Sequence, residues 1–255
     1  MKIAVFCNNN EASQDCFNRL KELSDFEFCS LSECFDANFI LSIGGDGCAL
    51  ACVPYALMAN IPIIAVNTGK FGFLCAYNPE QLDVLIDDII NSKVLFTKRN
   101  LIECECDGKV FKALNEVVIE RDNSLRCETN VFSLYIDGKL TEKLKSDGYI
   151  IATPTGSTAY SLSAGGSVLH PTVEAFIATP ICGHNGRANS IVYPQVLQTT
   201  LTVDCAQTPC LVFCDGNFAI KLQEGRTLII RKSESYINLA VKSDFLTLYN
   251  NKFKG

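Results

Sequence analysis

Residues 38–67, NFILSIGGDGCALACVPYALMANIPIIAVN, decide the fold. Asn38–Ile43 (NFILSI) is a short apolar run of the kind that forms a fully buried strand, and it stops at Gly44-Gly45. Ala49–Met58 is apolar and long enough for a helix, with a bend expected at Pro54. Pro62–Asn67 (PIIAVN) is another buried-type strand, again followed by a glycine turn. Strand, helix and strand in this order indicate a parallel pair. The same alternation extends on both sides. Ile3–Cys7 (IAVFC) suits a strand, and Glu11–Leu23 places Cys16, Leu20 and Leu23 at helical spacing. Pro79–Ile90 (PEQLDVLIDDII) is an amphipathic helix with proline at its start. Residues 1–93 therefore read as an α/β domain with a parallel sheet.

The pattern changes near Lys93. LIECEC, VFKALNEVVIE, NVFSLYID, TLTVDC, CLVFC and TLIIRK all suit strands. Asp107-Gly108, Asp137-Gly138 and Asp215-Gly216 are hairpin signals, because a tight hairpin turn needs residues that accept positive φ. Residues 94–244 read as an all-β domain, and the tail 245–255 is placed to return to the first domain.

Composition narrows the function. The chain has 255 residues, 48% hydrophobic and 20% charged, which is globular and not disordered. Its formal net charge of −6 lacks the basic footprint that nucleic acid or an anionic membrane surface requires. No stretch approaches the roughly 18 apolar residues of a membrane span, and the N-terminal apolar run is too short for a signal-peptide core. A cytoplasmic protein is expected. The fourteen cysteines form no CxxC pair, and only His170 and His184 offer imidazole, so buried thiols are expected over zinc ligands.

Four stretches carry candidate chemistry. Gly44-Gly45-Asp46-Gly47 follows a strand and precedes a helix, where ligands gather in open α/β sheets. It is neither GxxxxGK[ST] nor GxGxxG. A carboxylate there would repel a pyrophosphate, so Asp46 suits a hydroxyl or a metal and is placed to accept a proton from an attacking alcohol. A plain tight turn with an exposed aspartate explains the motif equally well. Asn67–Leu74 (NTGKFGFL) follows the next strand; Phe73 offers an aromatic face, while Phe71 reads as core. Asn115-Glu116 interrupts an apolar strand, and a carboxylate with an amide can hold ribose hydroxyls; a solvated edge strand or bulge is the plainer alternative. Ser146–Pro171 (SDGYIIATPTGSTAYSLSAGGSVLHP) crowds hydroxyls and glycine amides together in a way that suits a base, ribose or phosphate.

At these blocks the chain resembles the NAD kinase family. The matching segments are GGDG at Gly44–Gly47, NTGKFGFL at Asn67–Leu74, ALNEVVIERD at Ala113–Asp122 and DGYIIATPTGSTAYSLSAGG at Asp147–Gly166, in the family's order. The long last block is highly specific; GGDG alone also occurs in lipid kinases and phosphofructokinase-like proteins. The resemblance implies an α/β nucleotide-binding domain and a β-sandwich domain with the site between them. It implies phosphorylation of the 2′-hydroxyl of NAD by ATP, another triphosphate or polyphosphate, with magnesium or another divalent ion, in a homodimer or homotetramer.

By this resemblance Asp46 is the catalytic base and Asn115 and Glu116 hold ribose. Thr158, Tyr160 and Ser163 fall on the adenosine side, Asp147 at the nicotinamide end and Phe73 along the pocket. Gly47, Thr155 and Ala159 complete the expected substrate-binding set, and no side chain is expected as a metal ligand. Cys48, Cys75-Ala76, Ser167 and GHNGRANS after Cys182 depart from the family's usual residues. They bear on donor preference and on the loop around His184. A GGDG kinase of another substrate leaves the Thr155–Ser163 block unexplained. A non-catalytic NAD-binding regulator leaves Asp46 without a task.

Overall fold

The computed structural model describes residues 1–122, 129–184, 189–205 and 208–253. They fall into two units, one of Met1–Arg99 with Ser235–Gly255 and one of Asn100–Glu234.

The first unit contains β1 (Lys2–Cys7), α1 (Glu11–Leu23), β2 (Glu27–Ser30), β3 (Phe39–Gly44), α2 (Asp46–Ala59), β4 (Ile63–Asn67) and α3 (Leu82–Ile90). The strands lie in the order β2-β1-β3-β4 and every pair is parallel. Helix α1 starts where Asn10 accepts a bond from the Ser13 amide, a side-chain cap on an otherwise orphaned donor. Its buried face is Cys16 and Leu20, while Leu23 is exposed. Helix α3 buries Leu82, Leu85, Ile86 and Ile89, spaced as one helical face. Helix α2 runs through Pro54 and begins at Asp46, three residues before its expected start, with Gly45 at its N-cap. The acidic Asp46 therefore stands in the first turn, where the helix dipole favours negative charge.

From there the chain forms β5 (Leu95–Cys106), β6 (Lys109–Ala113), β7 (Glu116–Arg121), β8 (Asn130–Ile136), β9 (Lys139–Ser146) and β10 (Gly148–Ala152). The one-turn helix α4 (Tyr160–Ser163) precedes β11 (Ala175–Ile181), β12 (Ile191–Pro194), β13 (Thr199–Cys205), β14 (Cys210–Cys214) and β15 (Asn217–Leu222). Strand β16 (Thr227–Val241) leads back into the first unit, where Leu239 pairs with Ile63 and α5 (Phe245–Phe253) follows.

The second unit is a β-sandwich. One sheet runs β16-β13-β8-β9 with β5 and β6 beside it; the other runs β12-β11-β10-β7-β14-β15. Alternate residues of both sheets fill the space between them, among them Phe132 and Leu134 of β8, Leu201 and Val203 of β13, Val117 and Ile119 of β7 and Tyr149 and Ile151 of β10. The three Asp-Gly pairs sit at the tips of β5–β6, β8–β9 and β14–β15, with positive φ at both residues of each pair. That geometry is the turn whose twist matches a hairpin.

VFKALNEVVIE is two strands, not one. β6 pairs with β5 in one sheet and β7 with β10 and β14 in the other, so the chain changes sheet at Leu114-Asn115. Eight of the described cysteines are buried and Cys182 is exposed. The thiols of Cys104 and Cys214 touch at 3.6 Å inside the sandwich. Among the described residues no group of three His, Cys, Asp or Glu is placed to hold a metal. No described helix is long and apolar enough to cross a membrane.

Candidate functional site

In the first unit the chemistry gathers at the carboxyl ends of β3 and β4. The Asp46 carboxylate is held from both sides: the Phe73 amide donates to Oδ2 at 2.9 Å and the Leu74 amide to Oδ1 at 2.9 Å. The Cys75 thiol approaches Oδ1 at 3.8 Å. Gly72 makes this possible, because a Cβ there would stand 2.6 Å from Asp46 Oδ1. The plain-turn reading of GGDG accounts for none of these bonds. A carboxylate whose orientation is fixed by two backbone donors keeps lone pairs for a third partner. Gly47 is exposed and a side chain there would meet nothing, so this stretch of backbone is open to close approach.

Phe71 and Phe73 meet edge to face, and Phe73 also lies against Phe245 of α5 with ring centroids 5.9 Å apart. The Lys252 ammonium sits 4.4 Å from the Phe73 ring centre. Phe73 is thus already in aromatic contact within its own unit.

In the second unit Asn115 and Glu116 stand at the crossing between sheets, 7% and 6% exposed, which excludes a solvated edge. Their position is set by Asp215 in the β14–β15 turn. Its carboxylate accepts the amides of Leu114, Asn115 and Glu116 at 2.6, 2.7 and 3.2 Å. Gly156 closes the other side, since any Cβ would run into the Asn115 backbone. Asn115 Oδ1 and Glu116 Oε2 are buried without a hydrogen-bond partner. Native interiors rarely leave such atoms unsatisfied, so a ligand or an ordered water belongs beside them.

The hydroxyl-rich block divides in two. Thr153 bonds the Leu114 carbonyl at 2.6 Å, Ser157 bonds Pro154 and Leu169, and Ser161 bonds Thr179. These three hold the loop. Tyr160, 40% exposed, lines a cavity of about 320 Å³ together with Glu116, Val118, Glu120, Phe213 and Gly216. Thr155 and Thr158 are buried on the same loop, Ala159 is half-buried and Ser163 exposed. None of these four is among the lining residues. Asp147 also lies outside the lining, in an ion pair with Arg121 at 2.8 Å.

Glu120, Phe213, Gly216 and Asp215 were not expected in the site. The signal for Glu120 was present, since residues 116, 118 and 120 alternate onto one face. Asp215-Gly216 was legible only as a hairpin, because capture of the 114–116 amides spans about a hundred residues of sequence.

Burial, and next the charge of Asp215, push the Glu116 carboxyl up to about 8; the Tyr160 backbone amide partly offsets this. Burial also raises Asp215, but its three amide donors favour its charged form, so the proton resides on Glu116. A carboxyl raised in the folded state adds stability that is complete below its unfolded value of 4.5 and lost as pH rises through about 8. The ligand-free protein should therefore lose melting temperature between pH 5 and 9, and Glu116→Gln should flatten that slope. Thermal melts across this range test it; parallel curves for both proteins would place the charge elsewhere.

A fixed carboxylate at the carboxyl edge of a parallel sheet, and a buried unsatisfied amide and acid beside a hydroxyl-rich loop, define a class of protein that holds nucleotide hydroxyls. The comparisons name the family. Residues 8–94 match the ATP-NAD kinase N-terminal domain and residues 114–242 the ATP-NAD kinase C-terminal domain. The chain is 33% identical over 219 residues to an NAD kinase of Caldicellulosiruptor saccharolyticus, covering 85% of this chain and 82% of that one. It is 37% identical over 202 residues to a bifunctional NADP phosphatase/NAD kinase of Methanocaldococcus jannaschii, covering 77% of this chain and 35% of that one. An NAD kinase from Archaeoglobus fulgidus, solved in complex with ATP, superposes with a TM-score of 0.79 at 25% identity over 98% of this chain and 96% of that one. Yeast NADH kinase, solved with NADH, shares the fold with a TM-score of 0.87 at 21% identity over 100% and 88%. The chain belongs to the NAD kinase family.

Proposed function

We infer that the protein transfers the γ-phosphoryl group of ATP to the 2′-hydroxyl of the adenosine ribose of NAD, giving NADP and ADP. The observation that carries this reading is the buried, partnerless pair Asn115 Oδ1 and Glu116 Oε2 beside Tyr160. An amide oxygen and an acid there suit ribose hydroxyls, and ligand-free they are unsatisfied. Asp46 takes the proton as the new oxygen–phosphorus bond forms and the bond to the β-phosphate oxygen breaks. The Phe73 and Leu74 amides keep its carboxylate in one orientation for that transfer. Gly47 leaves room for the substrate and Phe73 borders it. Thr158, Tyr160 and Ser163 contact the adenosine side, Thr155 and Ala159 complete the substrate-binding set, and Asp147, oriented by Arg121, contacts the nicotinamide end.

A divalent ion fits this chain as a companion of the triphosphate. Magnesium is commonly held by one or two carboxylates and substrate phosphates, and no described cluster forms an all-protein cage. When bound, it neutralises phosphate charge. Asp46 is the carboxylate that would help hold it. The reading includes cytoplasmic residence and, as the family resemblance implies, a homodimer or homotetramer; sedimentation tests the latter.

Incubation with NAD and ATP, with phosphorus NMR of the product, tests the chemistry. Phosphate should appear on the 2′-oxygen of the adenosine ribose. 2′-Deoxy-NAD should bind and inhibit but accept no phosphate, and NADP should be no substrate. Phosphate at any other position overturns the assignment.

A further inference from the structure

The cavity on the second unit has a charge pattern that the phosphoryl transfer does not use. Two of its six described lining residues are acids, Glu116 and Glu120, and none of the six is cationic. Both stand on the same face of β7, four residues and so about 13 Å apart along the strand. Glu116 Oε2 is buried and unpartnered, and Glu116 lines this cavity. Glu120 is half-buried; across β10 its neighbour is Gly148, which has no side chain to cover it. The adjacent Arg121 places its guanidinium on Asp147, not in the lining. Burial pushes the Glu120 carboxyl up, and the charge of Arg121 opposes this.

NAD carries anionic phosphates and one cation, the oxidised nicotinamide ring. A cavity whose wall carries the Glu120 carboxyl, with no cation among its described lining residues, attracts the ring. NADH has nearly the same shape and hydroxyls but lacks the cation. We propose that Glu120 faces the nicotinamide ring and makes this site prefer the oxidised dinucleotide to the reduced one. The proposal rests on the NAD kinase reading and adds to it which redox form is bound.

The test measures binding and turnover separately. NAD binding is followed by calorimetry and NADH binding by its fluorescence, in the parent protein, Glu120→Gln, Glu120→Asp and Glu116→Gln. The ratio of NAD to NADH affinity should fall about tenfold in Glu120→Gln, the scale of one partly screened charge pair. Glu120→Asp, which keeps the charge, should retain most of the preference. Glu116→Gln removes a contact common to both forms, so it should weaken both and leave their ratio in place. A ratio that does not move in Glu120→Gln overturns the proposal, whether or not affinity falls. A Glu120-dependent preference in a protein that phosphorylates neither form would sink the kinase reading and leave this one standing. Binding of neither form overturns both.

Discussion

Asp46→Asn should lower turnover by about 10²–10⁴-fold, the usual cost of losing a general base. The substitution keeps the size of the side chain and removes its ability to take a proton. It also disturbs the local bonds in a calculable way. Asp46 accepts the Phe73 amide on one oxygen and the Leu74 amide on the other. An asparagine keeps one acceptor, and its NH₂ group must face the other amide. The lost bond costs about 0.5–1.5 kcal/mol, and the first turn of α2 loses a charge that suits its dipole, worth roughly 0.3–1 kcal/mol. The fold tolerates a loss of that size. NAD affinity should be nearly that of the parent protein, because Asn115, Glu116 and Tyr160 are untouched. Single-turnover kinetics of NADP formation, beside calorimetry with NAD, separates the two effects. Near-parental turnover would remove Asp46 from its role; lost NAD binding would make it a binding residue instead.

Asp215→Ala should lower both stability and NAD affinity, although Asp215 points at backbone and not at the cavity. Three amides lose their acceptor at once: those of Leu114, Asn115 and Glu116. Each buried, unsatisfied N–H costs about 1–3 kcal/mol. One effect opposes this, since removing Asp215 relieves its repulsion of Glu116. Three orphaned donors outweigh one relieved repulsion, and a net loss of about 3 kcal/mol is expected. For a protein of this size that lowers the melting temperature by roughly 6–12 °C. Asn115 and Glu116 then lose their register, so NAD should bind at least tenfold more weakly. Asp215→Asn, with one oxygen left to accept, should fall between the parent protein and Asp215→Ala in both measurements. A thermal melt and a calorimetric titration of each variant decide it. Parental melting of Asp215→Ala would mean that the sheet crossing holds its own shape. The pH slope offers a third check: without Asp215 the Glu116 carboxyl should titrate lower, because one of the causes that raise it is gone.

Much of this architecture was written in local sequence. Apolar runs ending at Gly44-Gly45 and after Asn67 specified buried parallel strands, since a strand covered on both faces must be apolar throughout. The three Asp-Gly pairs specified hairpins, since they tolerate the positive φ that those turns impose. The spacing of Leu82, Leu85, Ile86 and Ile89 specified one helical face. These readings depend on a few neighbouring residues and on backbone stereochemistry, both of which a linear chain displays. The family resemblance likewise rested on contiguous blocks.

What the chain alone left open was decided by pairs distant in sequence. GGDG read equally as a plain turn; the Phe73 and Leu74 amides, 27 and 28 residues away, make Asp46 a fixed carboxylate. VFKALNEVVIE read as one strand, because nothing local says that Leu114–Glu116 will give its amides to Asp215 instead of a neighbouring strand. Hydroxyls of one type in one loop read alike, yet Thr153, Ser157 and Ser161 brace the loop while Tyr160 meets the cavity. Strand alternation alone puts Glu120 on the face of Glu116, but only the fold turned that face to a cavity. Periodicity and turn chemistry are properties of neighbours along the chain. Hydrogen-bond partners, burial and the charge of a cavity belong to neighbours in space, and they exist only once the chain has folded.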